Sequence, residues 1–117
     1  MGLSTHVLDT MHGTPADGMA VSLFTMQGDA AALVKSFVLD HDGRAPGGPL
    51  YKDGDLKAGN YRLVFDVAGY FAGKGVKLPE PNFLGKVTLD FGVASPQQHY
   101  HVPLLVSPWS YSTYRGS

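Results

Sequence analysis

Short apolar stretches, each halted by glycine or proline before it can lengthen, constrain this chain more than any other feature of its sequence. Among 117 residues there are 15 glycines and 8 prolines. Glycine weakens a helix interior by about 1 kcal/mol and proline by about 3 kcal/mol, so long helices do not survive such punctuation. Strands of roughly four to eight residues fit between the breaks.

Two stretches display the strand period openly. Tyr61, Leu63, Phe65 and Val67 alternate with Arg62, Val64 and Asp66, and Val87, Leu89 and Phe91 alternate with Lys86, Thr88 and Asp90. Side chains alternate across a strand, so each stretch offers one apolar face to a core. Residues 3–8, 20–26 and 34–39 are read as three earlier strands, and 99–106 and 109–114 as two later ones joined at Ser107-Pro108. One short helix is expected over 68–74, against the weakening effect of Gly69 and Gly73. Asp40-His41-Asp42-Gly43 has the chemistry of a tight turn and sets Arg44 just past it. The expected architecture is all-β, a sandwich or barrel of seven or eight strands in one domain over 1–117. A domain of this size buries about two thirds of the surface its unfolded chain exposes.

Composition removes several classes of function. Nine Lys and Arg against ten Asp and Glu leave a formal net charge of −1, and no basic cluster provides the field that nucleic acid or an anionic membrane requires. The chain has no cysteine, which rules out disulfides, thiolate metal sites and thiol nucleophiles. No apolar run approaches the ~20 residues of a spanning helix, and the opening Met1-Gly2-Leu3-Ser4-Thr5-His6 does not read as an export signal. A cytoplasmic protein with a small polar ligand is the expectation. Charged residues make up only 16% of the chain against 44% hydrophobic, a thin charged coat that favours self-association.

Chemistry must then come from histidines and one arginine. His99 and His101 are two apart on an expected strand, so they share a face about 6.5–7 Å apart along the backbone. Two imidazoles so placed can address one ligand, and a pKa near 6.5 makes either a serviceable general base. The bland reading is a pair of exposed or hydrogen-bonded strand histidines. A third reading is a zinc or copper site completed by His6, although no Asp or Glu adjoins the pair to orient the rings. His12 and His41 fall in turns and are read as solvated. Arg44 is either a surface residue or a planar donor fork for a carbonyl and a developing oxyanion. The tail from Trp109 to Ser117 is aromatic and hydroxyl-rich, unlike an expendable chain end. On a strand, Ser112 and Tyr114 face one side and Tyr111 and Thr113 the other.

Taken in order, Leu3-Ser4-Thr5-His6-Val7-Leu8-Asp9, Gly13-Thr14-Pro15-Ala16, Asp42-Gly43-Arg44, Tyr61-Arg62-Leu63-Val64-Phe65, His99-Tyr100-His101-Val102-Pro103-Leu104-Leu105 and Tyr111-Ser112-Thr113-Tyr114-Arg115-Gly116-Ser117 resemble the 5-hydroxyisourate hydrolases of the transthyretin-like family. The resemblance spans almost the whole chain. Its terminal Tyr-Arg-Gly-Ser separates these hydrolases from transthyretin, the carrier of the same fold. It implies a two-sheet sandwich of about eight strands with one short helix, assembled as a homotetramer whose central channel carries the sites. It also implies metal-independent, cofactor-free hydrolysis of 5-hydroxyisourate in purine breakdown. His6, Arg44 and His101 match catalytic or substrate-contacting positions, with His99 beside them. Tyr114, Ser112 and Ser117 match substrate-side positions. The competing reading is a small-ligand carrier without catalysis. The stretch from Lys77 to Gly85 departs from the family pattern and predicts an altered loop after the helix.

Overall fold

The structure is a computed structural model that describes residues 2–52 and 54–116. In chain order its elements are β1 (Leu3–Asp9), β2 (Thr14–Pro15), β3 (Ala20–Gln27), β4 (Ala30–Val38), β5 (Gly59–Asp66), α1 (Val67–Gly73), β6 (Lys86–Val93), β7 (Tyr100–Val106) and β8 (Tyr111–Thr113). They form two four-stranded sheets, ordered β2-β1-β7-β8 and β4-β3-β5-β6. The all-β sandwich with one short helix is therefore what the chain adopts.

Alternation builds the core. In β1, Leu3, Thr5, Val7 and Asp9 are buried while Ser4, His6 and Leu8 are only partly so. In β5, Tyr61, Leu63 and Phe65 point inward, and in β7 Tyr100, Val102, Leu104 and Val106 do the same. The inner faces of both sheets join one hydrophobic cluster. Each fully buried Leu or Phe in it contributes about 1.5–3 kcal/mol relative to exposure.

Four boundaries differ from the sequence reading, each for a local reason. β2 has only two residues, too few to show a period. β4 starts at Ala30 rather than residue 34, because Ala30, Ala31 and Ala32 pair antiparallel with Gln27, Met26 and Thr25. Seven of its nine residues in an unbroken run are exposed, so no alternation marks it. Val67 leaves the strand and opens α1, where Val67, Tyr70 and Phe71 are buried at helical spacing and the Asp66 carboxylate accepts from the Gly69 N–H. β8 is confined to Tyr111–Thr113, with Trp109 in the preceding turn.

His12, read as solvated, is exposed and at the same time caps a buried carboxylate. Asp9 is fully buried at the end of β1. Its carboxylate accepts from the His12 backbone N–H at 3.0 Å, from the Tyr70 hydroxyl at 2.8 Å, and pairs with His12 Nδ1 at 2.6 Å. Burial works to raise its pKa, but these hydrogen bonds and the His12 charge together hold it below the ordinary carboxylate value. Burial and the Asp9 carboxylate push the Tyr70 phenol well above its ordinary range, so it stays a donor. The cluster ties α1 to β1.

Candidate active site

β1 and β7 lie side by side and parallel, with Ser4 opposite His101, Thr5 opposite Val102 and His6 opposite Pro103. Residues opposite one another in a ladder share a face. Because Leu3, Thr5 and Val102 face the core, Ser4, His6 and His101 lie together on the outer face of the sheet. His99 stands one residue before β7 and joins them. Its Nε2 is 3.0 Å from the Ser4 hydroxyl, whose other partner is His101 Nδ1 at 2.8 Å. The Gly2 backbone N–H donates to His99 Nδ1 at 3.2 Å.

Arg44 arrives by a turn built for the purpose. The Asp40 carboxylate accepts from the backbone N–H groups of Asp42 and Arg44, and the Asp40 N–H donates to the Arg44 carbonyl at 2.8 Å. The Arg44 N–H heads the causes that hold the Asp40 carboxyl below its ordinary pKa. Gly43 closes the turn at a φ of 74°, and a Cβ there would come within 2.5 Å of the Val7 carbonyl oxygen. Only glycine permits both the left-handed conformation and the close approach. Its carbonyl accepts from the Val7 N–H at 2.9 Å, and the result is an antiparallel bridge between His6 and Arg44. The backbone pairing thus sets Arg44 beside His6 along one edge of β1 within a single chain.

A cleft of about 340 Å³ opens beside them, lined by Ser4, Thr5, Asp40, Arg44, Gly48 and His99 among others. His101 is half-buried. Burial lowers its pKa first, and the Arg44 guanidinium with the neighbouring His6 and His99 lowers it further, so the neutral imidazole is favoured near pH 7. Three of the four ring nitrogens of His99 and His101 are engaged in hydrogen bonds. That network does not resemble a metal set. Among the described residues, the trio of ligand groups close enough to hold an ion is the exposed Asp40, His41 and Asp42.

The tail is held against this face. Arg115 lies over the Tyr100 ring at 4.1 Å and donates to the Gln98 side chain at 2.9 Å. The Gly116 N–H donates to the His101 carbonyl at 2.7 Å. Ser112 pairs with Leu105 and so shares the outer face with His101. Beyond β8 the same register continues to the bridge between His101 and Gly116, and Tyr114, between them, borders a groove of about 440 Å³ with Leu89, Phe91, Tyr100, Tyr111 and Thr113. Ser117 lies outside the described residues. Ser4 and Asp40 were missed by the sequence reading. Ser4 alternates with His6 on β1, which places it on the right face, but its position opposite His101 needs the β1–β7 register.

The chain is similar to named enzymes and to solved structures along nearly its whole length. A protein from Pseudomonas aeruginosa named 5-hydroxyisourate hydrolase is 49% identical over 115 residues, covering 98% of this chain and 90% of its own length. The crystal structure of an (S)-allantoin synthase superposes with a TM-score of 0.92 at 47% identity over 99% of this chain, which spans only 43% of that longer one. Sea bream transthyretin in complex with thyroxine superposes with a TM-score of 0.84 at 27% identity, covering 99% of this chain and 95% of its own. Residues 3–116 match the model of the HIUase/Transthyretin family, and the chain belongs to that family.

Proposed function

We propose that this protein is a hydrolase that opens 5-hydroxyisourate to 2-oxo-4-hydroxy-4-carboxy-5-ureidoimidazoline, with His6, Arg44 and His101 as its reacting side chains and His99 beside them. The observation that carries the reading is the bridge that sets Arg44 beside His6 on the strand facing His101. An imidazole of His6 or His101 takes a proton from water as its oxygen attacks the ring carbonyl. The C–N bond breaks, and an imidazole returns a proton to the departing nitrogen. Arg44 stabilises the oxyanion formed on the attacked carbonyl. No metal or cofactor takes part in this scheme. Ser112, Tyr114 and Ser117 are proposed on the substrate side.

A carrier is the poorer reading. A cleft lined by Ser4, Asp40, Arg44 and His99 would leave polar groups unpaired against an apolar ligand, at about 1–3 kcal/mol for each. The proposal extends to one catalytic domain over 1–117, assembled as a homotetramer in the cytoplasm. Exposed Trp109, Tyr111, Tyr114 and Leu33 support self-association. Among the described residues, no helix is long and apolar enough to cross a membrane.

The test is to follow the ultraviolet absorbance of freshly generated 5-hydroxyisourate with the pure protein and with the Arg44→Ala and His101→Ala variants. Decay at the spontaneous rate with the unaltered protein refutes the assignment. Treatment with a chelator should leave the rate unchanged, and sedimentation reads the assembly.

A further inference from the structure

The hydrogen bonds around Ser4 have a direction. A backbone N–H can only donate, so the 3.2 Å contact from Gly2 makes His99 Nδ1 an acceptor. A neutral imidazole carries one proton, and that of His99 must then be on Nε2, which faces the Ser4 hydroxyl at 3.0 Å. The hydroxyl accepts this hydrogen bond, and since His101 Nδ1 at 2.8 Å is its one other partner among the described residues, its own proton is donated there. His101 Nδ1 is thereby an acceptor, and the single proton of its neutral ring is on Nε2. Among the described residues, Nε2 has no hydrogen-bond partner within the chain.

We propose that Ser4 and His99 are positioning residues that fix His101 as its Nε2–H tautomer, so that His101 meets the substrate as a neutral N–H donor and His6 is the base. The second half rests on the hydrolase reading. A neutral imidazole offering N–H can polarise a carbonyl but cannot take a proton from water through that nitrogen. His6 removes the proton as the water oxygen bonds to the carbonyl carbon, and His101 Nε2–H shares the developing oxyanion with Arg44. When the C–N bond breaks, His6 delivers the same proton to the nitrogen, and the carboxylic acid formed ionises to solvent. His101 is neutral before and after.

Proton–nitrogen NMR spectra of isotope-labelled imidazoles report the tautomer directly. The unaltered protein should show His101 with its proton on Nε2 near neutral pH. In Ser4→Ala the tautomer should become mixed, kcat should fall by about tenfold to a hundredfold, in line with groups that orient a reacting histidine, and KM should move little. Ser4→Thr, which keeps the hydroxyl, should restore both. His99→Phe frees the Ser4 hydroxyl to accept, and an Nδ1–H form of His101 should appear. An Nδ1–H tautomer in the unaltered protein, or a Ser4→Ala variant with unchanged tautomer and kcat, overturns the positioning role even if hydrolysis is intact. An unaltered protein that shows the expected tautomer but no hydrolysis overturns the assignment of His6 together with the hydrolase reading, so the two failures are distinct.

Discussion

Gly116 sits flat against His101. Its N–H donates to the His101 carbonyl at 2.7 Å, and a Cβ placed on it would come within 2.8 Å of the imidazole Cδ2 and 3.2 Å of the His101 Cβ. Glycine there is a steric requirement of the imidazole's position. Gly116→Ala is expected to displace the imidazole while leaving the core untouched. The expected outcome is a fall in kcat of about tenfold or more with a melting temperature close to that of the unaltered protein, checked by steady-state kinetics and thermal unfolding.

The Asp40–Arg44 turn should be sensitive at Gly43. A side chain at a φ of 74° is strained, and its Cβ would also press on the Val7 carbonyl. Gly43→Ala should destabilise the protein by about 1–3 kcal/mol and lower kcat/KM because Arg44 loses its place beside His6. Urea unfolding measures the first effect. Suppression of the second by nothing short of the native glycine would separate backbone geometry from side-chain size.

The charge on Arg44 should be legible in the titration of His101. Burial and the neighbouring positive groups lower its pKa from 6.5, so the neutral ring persists below pH 6.5 and is lost only as pH falls through the depressed native value. Stability linked to this group is present above 6.5 and lost over the same descent. Arg44→Met removes one positive neighbour. His101 is then expected to titrate at higher pH than in the unaltered protein, as followed by its ring-proton NMR signals, and a downward displacement contradicts the proximity of the two groups.

Asp9 should set the acid limit of the fold. Its native pKa lies below the ordinary 3.8, so its contribution to stability is whole above that value and disappears as pH drops through the native one. Asp9→Asn places an amide N–H₂ among three donors and leaves at least one unsatisfied, a loss of about 1–3 kcal/mol. Denaturant unfolding near neutral pH should show that loss, and the acid-unfolding profile of the variant should be flatter than that of the unaltered protein.

What was legible in the sequence follows from where the periodicity is strong. β5 and β6 announce themselves because each buries one face: Tyr61, Leu63 and Phe65, then Val87 and Leu89. β4 does not, because most of it is exposed on both faces. The common face of His99 and His101 is a local property, and the structure has it. Arg44 past an Asp-Gly turn is equally local. Ser4 acquires significance only from the pairing of β1 with β7, and Asp9 gains its Tyr70 partner only from the packing of α1 on β1. Neither relation exists within any short window of residues.

The parallel ladder between β1 and β7 has a kinetic corollary. Ser4 and His101 are 97 positions apart, and at ribosomal speeds of about 5–20 residues per second the first strand waits on the order of 5–20 s for its neighbour. Nascent chains shorter than that hold an unpaired edge and no imidazole cluster. Catalytic competence should therefore emerge abruptly, late in translation, and an N-terminal fragment lacking the seventh strand should be inert at any concentration.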